Sequence, residues 1–189
     1  MSFFFPILES NSLAAVCTGL VLIWFFTWLN SKGVRASGKI QVITTILKIL
    51  PLVFIIFLGV FFFRLENFPV FNLTGESDFA TFPVVAALTL YAFLGIESAS
   101  IPAENIKSPE KTVPKATMLG TIISTSIYIL GTFILFGILP TDTLQNSSAP
   151  FAEAGEIIGG AYAGYFVAAG AIISGIGALN GWILILAQI

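Results

Sequence analysis

Apolar residues fill five long stretches of this sequence, and short polar segments separate them. Each stretch is long enough to cross the hydrocarbon core of a bilayer, which takes a helix of roughly 20 residues. The pattern predicts spanning helices at about residues 13–29, 40–63, 79–106, 116–139 and 161–189. We therefore predict an all-α transmembrane fold in which residues 1–189 form a single membrane domain.

The third stretch is longer than one span needs, and its helical pattern breaks at Leu94-Gly95-Ile96, immediately before Glu97. Glycine allows the non-helical backbone that such a break requires. Because backbone polar groups in hydrocarbon need internal partners, the break must be buried in protein or line a water-filled cavity. We predict a discontinuous third helix with a binding site at the break. Unwinding there would free the backbone carbonyl groups of Ala92, Phe93 and Leu94.

The composition supports a membrane protein and excludes several classes of function. The chain is 57% hydrophobic and only 10% charged, with a mean hydropathy of +0.98, whereas soluble domains are roughly 25% charged. A net charge of −2 argues against nucleic acid as a partner. The chain has no histidine, and its single cysteine is Cys17. Disulfides, Cys/His metal sites and Ser-His-Asp catalysis are therefore excluded within it, and we predict no metal, no cofactor and no catalytic residue.

The basic residues indicate how the chain crosses the membrane. Six of the eight lie near two alternate connections: Lys32, Arg35, Lys39, Lys107, Lys111 and Lys115. The other two connections carry mainly acidic residues. Because basic loops stay on the cytoplasmic side, we predict a multi-pass protein of the cell (inner or plasma) membrane. Its amino terminus is predicted outside and its carboxyl terminus inside.

Two ionisable residues are predicted at membrane depth. Glu97 either marks a substrate or proton pathway or is a structural, hydrogen-bonded carboxyl group. Lys48 lies about 13 Å along the second predicted helix from Lys39, which is too deep for its amine to reach the membrane surface easily. It is either an amine that gains and loses a proton during coupling, or a structural ammonium paired with carbonyl or carboxylate groups.

Three aromatic residues are candidates for contact with a solute. Tyr91 and Phe93 precede the break and either stack on a substrate or pack against lipid and neighbouring helices. Trp182 lies in the middle of the fifth stretch, where it either packs between helices or forms the wall of a binding cavity. The same stretch is rich in small residues, which predicts close helix packing at Gly160, Gly164, Ala168, Gly177 and Gly181.

The third stretch resembles the sixth-helix signature of the amino acid–polyamine–organocation superfamily of permeases. The similar segment is LYAFLGIESASIPAENIKSPEKTVPKA, with its aromatic-Ala-Phe-x-Gly-x-Glu run and the following Ser-Pro and Val-Pro. Similarity continues through ILGTFILFGILP, SSAPFAEA and NGWILILAQ, and back to FFFPILESN, so it covers essentially the whole chain. Within the superfamily the sequence is most similar to the basic amino acid/polyamine antiporter group, which includes arginine/agmatine exchangers.

The resemblance implies a LeuT-type fold of two inverted five-helix repeats, in which this chain provides helices four through eight of about twelve. The chain is then expected to be an internal piece of a longer permease, with a natural five-span protein as the alternative. By position, the resemblance implies substrate-binding roles for Tyr91, Phe93, Leu94, Gly95, Ile96 and Trp182. It implies coupling or gating roles for Glu97 and Lys48.

Two positions depart from the arginine/agmatine exchangers. Tyr91 replaces a tryptophan that stacks on the substrate, which argues against arginine. Lys48 replaces a small apolar residue, and proton-coupled permeases of the superfamily carry a lysine there. The resemblance therefore implies secondary active transport of amino acids by alternating access, with proton coupling.

Three alternatives remain open: exchange of a basic amino acid for its amine, a non-transporting structural subunit or channel, and an intramembrane enzyme. The last would have to work without histidine or a paired Asp motif. The expected partners are an amino acid or related amine, protons, the lipid bilayer and, for the full-length protein, a second copy in a homodimer.

Overall fold

The computed structural model describes residues 4, 7–68, 72, 74–95, 101 and 106–187, and the predictions made for Ile96 and Glu97 lie outside these residues. All regular structure in the described part is helical, which confirms the all-α prediction. The α-helices are α1 (Ile7–Ser10), α2 (Ser12–Ser31), α3 (Val34–Gly59), α4 (Asp78–Tyr91), α5 (Pro109–Ile138), α6 (Thr141–Asn146) and α7 (Pro150–Leu186). Two short 3₁₀ turns, Val60–Phe62 and Leu65–Asn67, follow α3.

Four of the described helices are long and apolar enough to cross a membrane, namely α2, α3, α5 and α7. These helices indicate a multi-pass membrane protein. The remaining apolar helix, α4, has 14 residues, fewer than the roughly 20 that a full crossing requires. The third predicted span therefore begins as a helix that stops partway, as expected for a discontinuous element. Most of residues 96–105 lie outside the described part.

The centre of the fold is the antiparallel pair α3 and α7, whose glycines allow close approach. A Cβ atom added to Gly177 would lie 2.7 Å from Thr44 Oγ1, and one added to Gly170 would overlap the ring of Pro51. Further along, Gly181 lies against the amide of Gln41. Small residues permit such contacts between helices in lipid. The predicted close packing at Gly177 and Gly181 is confirmed.

Helix α7 is bent at Gly159 and Gly160, and its longer second half begins where the fifth span was predicted. Gly160 has φ +72° and ψ −170°, a backbone conformation that essentially only glycine adopts. An added Cβ at Gly160 would meet no atom within 4 Å. The prediction that Gly160 mediates helix packing is therefore wrong, because this residue makes the bend. Gly164 does pack, against the side chain of Glu156 on the other side of the bend.

The best-buried apolar cluster lies at the end of the bundle where α3 and α5 finish. It contains Ile55, Ile134, Leu135, Ile138, Leu139, Ala154 and Val167. The end of α5 is capped nearby, because Asn67 Nδ2 donates to the carbonyl oxygens of Gly137 and Ile138 at 3.1 and 3.2 Å. These bonds satisfy carbonyl groups that a helix end leaves without intrahelical partners. This cluster fixes α3, α5 and α7 together at the end away from the candidate site.

Candidate functional site

A cavity of about 590 Å³ lies between α3, α5, the last part of α7 and the turn that follows α4. Its size is within the range of about 300–1,000 Å³ that is usual for small-molecule sites. The turn contributes Phe93, Leu94 and Gly95 to the wall, and α7 contributes Trp182. The structure thus brings four of the sequence-predicted substrate-binding residues together around one space, although they lie on two elements far apart in the chain.

The turn after α4 places backbone carbonyl groups at the cavity. The backbone hydrogen bonds that close it run from Ala92 N to Thr89 O at 3.1 Å, from Phe93 N to Leu90 O at 3.0 Å and from Leu94 N to Tyr91 O at 3.3 Å. No described group donates to the next three carbonyl oxygens, those of Ala92, Phe93 and Leu94. A helix carboxyl end carries partial negative charge. This end of the cavity is therefore suited to accept hydrogen bonds from an ammonium group.

Gly95 and Trp182 are in direct proximity across the cavity. Gly95 has φ +98°, in the left-handed region that disfavours other residues. An added Cβ there would lie 3.5 Å from Cζ2 of the Trp182 indole. Trp182 is 52% exposed, so its ring borders the open space and is not enclosed between helices. Trp182 therefore lies at the cavity wall, and its contact with a solute stays a prediction.

Two other predicted site residues, Tyr91 and Lys48, do not line the cavity. Tyr91 is the last residue of α4, is 76% exposed and does not border the cavity. Lys48 is half-buried on α3, about 10 Å along the helix from the cavity-lining Gln41. It forms no ion pair or hydrogen bond with any described residue. Glu97 follows Gly95 by two positions in the sequence and is not among the described residues.

One wall of the cavity was not predicted from the sequence. It is a row of hydroxyl side chains on α5, made by Thr117, Thr121, Ser124 and Tyr128. Their spacing of four, three and four residues places them on one face of the helix. The ring of Tyr128 also contacts that of Phe93 edge to face, with centroids 5.8 Å apart. Polar residues recurring at helical period within an apolar stretch were the signal that could have identified this face.

A buried hydrogen-bond network beside the cavity was also missed. Asn180 is 0% exposed, and its amide joins three helices. Its Oδ1 accepts from Asn30 Nδ2 on α2 at 3.2 Å and from Ser37 Oγ on α3 at 3.1 Å. Its Nδ2 donates to Ser37 O at 3.3 Å and to Gln41 Oε1 at 3.2 Å. A lone asparagine in an apolar run was the sequence signal, since a polar group in hydrocarbon needs internal partners.

The described walls of the cavity carry no formal charge at neutral pH. They offer carbonyl oxygens from the turn, hydroxyl groups from α5, the amide of Gln41 and the faces of aromatic rings. In such surroundings a polar solute is recognised by hydrogen bonds, which are stronger where water is excluded. No group of three or more potential metal ligands exists within the described part of the chain.

Comparison with known proteins gives a consistent set of relatives. The family model described as "Amino acid permease" matches residues 1–189. A cadaverine/lysine antiporter of Escherichia coli (strain K12) is 30% identical over 189 residues, which is 100% of this chain and 42% of the relative. An arginine/agmatine antiporter of Chlamydia pneumoniae is 34% identical over 203 residues, covering 100% of this chain and 41% of the relative.

A third relative is the putrescine transporter PotE of Escherichia coli (strain K12). It is 34% identical over 190 residues, covering 94% of this chain and 42% of its own length. The chain therefore spans less than half the length of each of these curated relatives. All three are transporters, not enzymes.

Proposed function

This chain belongs to the amino acid permease family, and on that premise we propose that it moves amino acids or related amines across the cytoplasmic membrane by alternating access, as part of a longer permease. Its relatives are transporters, and the chain is not an enzyme. The observation that carries the proposal is the cavity in which the turn after α4 and Trp182 face each other. The end of a broken helix is a common place for solute or ion binding in secondary transporters.

In this proposal each part of the cavity wall contacts a different part of the solute. The carbonyl oxygens of Ala92, Phe93 and Leu94 accept hydrogen bonds from the ammonium group. The rings of Phe93 and Trp182 cover the aliphatic carbon atoms, and Gly95 lets the backbone approach closely. Ile96 is a further proposed substrate-binding residue, and Glu97 acts as the gating or coupling carboxylate. Tyr91 belongs to the site in a conformation where the exposed end of α4 closes on the solute.

Lys48 is the proposed coupling amine. It lies half-buried in a spanning helix, and within the described residues nothing neutralises its charge. An unpaired ammonium group at this depth is unfavourable in the membrane. Loss and gain of its proton during the transport cycle would therefore change the stability of the surrounding helix packing. That coupling would link proton movement to the movement of the solute.

We also propose that the cavity end of the bundle faces the cytoplasm, so that the amino terminus of the chain is outside and the carboxyl terminus inside. Gln41 and Thr117, each two residues after a lysine of a basic connection, border the same cavity. Both basic connections therefore lie at one end of the bundle, as the positive-inside rule requires. At that end Lys32 Nζ lies 3.7 Å from the ring centroid of Trp28, a pairing suited to the membrane interface.

The orientation is tested by labelling with a membrane-impermeant maleimide. Cys17 is the single cysteine of this chain, so Cys17→Ser, with serine also replacing any cysteine elsewhere in the complete permease, gives a background without thiols. In that background Asp142→Cys is expected to react in intact cells, and Lys111→Cys only after permeabilisation. The reverse pattern would overturn the orientation.

Exchange of an amino acid for an amine is the second candidate mechanism. It is favoured by the relatives, two of which are antiporters for an amino acid and its decarboxylation product by name. Exchange predicts that solute on the far side accelerates uptake, whereas proton-driven uptake needs only a pH gradient. The proposal also includes protons as a transported partner and a homodimer of the full-length protein.

The experiment uses the complete permease that contains this chain, purified and reconstituted in proteoliposomes. Uptake of radiolabelled lysine, arginine, cadaverine and putrescine is expected to saturate and to rise with unlabelled solute on the far side. Trp182→Ala is expected to lower the affinity at least tenfold, from the loss of about 1.4 kcal/mol or more of ring contact. Trp24→Ala, a change at a 72% exposed residue of α2, is the matched control. Flux that never saturates and shows no stimulation would instead indicate a channel.

A further inference from the structure

The two halves of α3 are held in the bundle by different kinds of contact. After Pro51, Ile55 is 0% exposed and belongs to the apolar cluster at the far end of the bundle. Before Pro51, the described α3 residues that are buried are Ser37 and Thr44, and both are polar. Hydrogen bonds within a protein can be exchanged for bonds to water at little net cost, whereas apolar contacts have no such substitute. The first half of α3 is therefore the half that can separate from its neighbours.

Three hydrogen bonds from the amide of Asn180 on α7 hold the first two turns of α3. Asn180 Oδ1 accepts from Ser37 Oγ at 3.1 Å. Asn180 Nδ2 donates to Ser37 O at 3.3 Å and to Gln41 Oε1 at 3.2 Å. Ser37 and Asn180 are both 0% exposed. These three bonds form the Asn180–α3 contact, and a fourth bond, from Asn30 Nδ2, joins the same amide to α2.

Both ends of the first half of α3 are points where the chain can bend. Gly33 precedes the helix with φ +109°, and a Cβ added there would meet no atom within 4 Å. Pro51 lies inside the helix and has no N–H to donate to the carbonyl of Leu47, so the helix bends most readily there. The segment between these two residues can therefore move as a unit.

The Asn180–α3 contact also closes one side of the cavity. Among the described residues of α3, Gln41 is the one that borders the cavity. Gly181 and Trp182, the two residues after Asn180, border it from α7. If the three bonds break and the first half of α3 swings about Pro51, Gln41 leaves the wall. The cavity then opens at the basic end of the bundle, where the two basic connections lie.

From this arrangement we infer that Asn180 is a positioning residue that keeps the cavity closed at the basic end, and that separation of α3 from Asn180 opens it. A hydrogen bond between helices in a membrane shifts an equilibrium about threefold on average. Three such bonds shift it roughly 20- to 30-fold, which leaves the open state populated at a few per cent. The inference rests on the proposed function, because alternating access requires the cavity to open at one end at a time.

The test measures how fast a cavity thiol reacts with a membrane-impermeant maleimide in the complete permease, with serine in place of every native cysteine. Ser124→Cys places the thiol on the cavity wall, about 13 Å along α5 from Lys115 of a basic connection. Lys111→Cys shows which preparation, right-side-out or inside-out vesicles, exposes the basic end. Ala154→Cys replaces a residue that is 0% exposed in the apolar cluster and reports general loosening of the fold.

Three variants separate the Asn180–α3 contact from the rest of the network. Because labelling needs the open state, Asn180→Ala is expected to raise the rate at position 124 from the basic end roughly 20- to 30-fold. Ser37→Ala removes one of the three bonds and is expected to raise it about threefold. Asn30→Ala is the matched control: it removes an asparagine of the same network but leaves the bonds to α3 in place. It should leave the rate at position 124 unchanged, and none of the three variants should change the rate at position 154.

Two kinds of result would overturn the inference, and saturable uptake of lysine or cadaverine by the unaltered permease distinguishes them. If that uptake is present but Asn180→Ala leaves labelling at position 124 unchanged, or raises it equally at position 154 or from the opposite end, Asn180 does not keep the cavity closed and the proposed function stands. If the unaltered permease takes up none of lysine, arginine, cadaverine and putrescine, the proposed function fails and the inference fails with it.

Discussion

Replacing Gly177 by alanine is expected to destabilise the interface between α3 and α7. The new Cβ would lie 2.7 Å from Oγ1 and 3.0 Å from Cβ of Thr44, whereas carbon contacts are most favourable at about 3.5–4.0 Å. Thr44 has little room to adjust, because it is β-branched and its Oγ1 donates to Ile40 O at 2.9 Å. The helices would therefore have to separate by roughly 0.5–1 Å at this contact.

Overpacking of this kind destabilises a well-packed interior by about 1–3 kcal/mol. The matched control is Gly175→Ala on the same helix, where an added Cβ meets no atom within 4 Å. Alanine there should stabilise the helix by about 0.5–1 kcal/mol, because glycine has the greater freedom in the unfolded chain. The free energy of unfolding is measured by titration with sodium dodecyl sulfate in mixed micelles, followed by circular dichroism. Equal effects of the two substitutions would refute the packing argument.

Three further predictions concern the bend and the two candidate coupling residues. Gly160→Ala is expected to destabilise the fold by about 1–3 kcal/mol in the same titration although space is available, because φ +72° with ψ −170° is unfavourable for alanine; stability equal to that of the unaltered protein would contradict a conformational role. Lys48→Ala in the complete permease is expected to remove the pH dependence of uptake into proteoliposomes, and an unchanged pH profile would mean that Lys48 does not couple protons. Glu97→Gln should slow transport or lower the affinity for substrate, and unchanged values of both would rule out a gating or coupling carboxylate.

Hydropathy predicted the spanning helices well where their ends are also the ends of apolar runs. The first prediction, residues 13–29, lies within Ser12–Ser31, and the second ends one residue beyond the 3₁₀ turn at Phe62. The fourth began too late, because α5 starts at Pro109 with a polar first turn that a hydropathy criterion does not detect. Proline is favourable in the first turn of a helix, so this earlier start has a local cause.

The position of the break was predicted to within a few residues. The sequence favoured Leu94–Ile96, whereas α4 ends at Tyr91 and the turn continues to Gly95. The positive φ of Gly95 lies at the end of the turn, not at the end of the helix. Glycine in a sequence indicates where unusual backbone is allowed, and the helix can stop some residues earlier because its last carbonyl groups find other partners.

The candidate site was only partly predictable. Gly95 and Trp182 were identified because each is unusual in its own local sequence. Gln41 and Asn180 were not, because their roles arise from a hydrogen bond between residues 139 positions apart in the chain. Which polar side chains of different helices meet depends on how the helices pack, and the periodicity within each helix does not contain that information.

The account rests on the claim that a solute binds in the cavity between the α4 turn and Trp182, and protection from chemical modification tests it most directly. In a form of the complete permease with Cys17→Ser and with serine in place of any cysteine outside this chain, Ser124→Cys places a single reactive thiol on the cavity wall. Gly19→Cys on α2, where an added Cβ meets no atom within 4 Å, is the control thiol. Saturating lysine or cadaverine is expected to slow maleimide labelling at position 124 at least several-fold and leave labelling at position 19 unchanged. Equal labelling of position 124 with and without saturating solute would contradict the account.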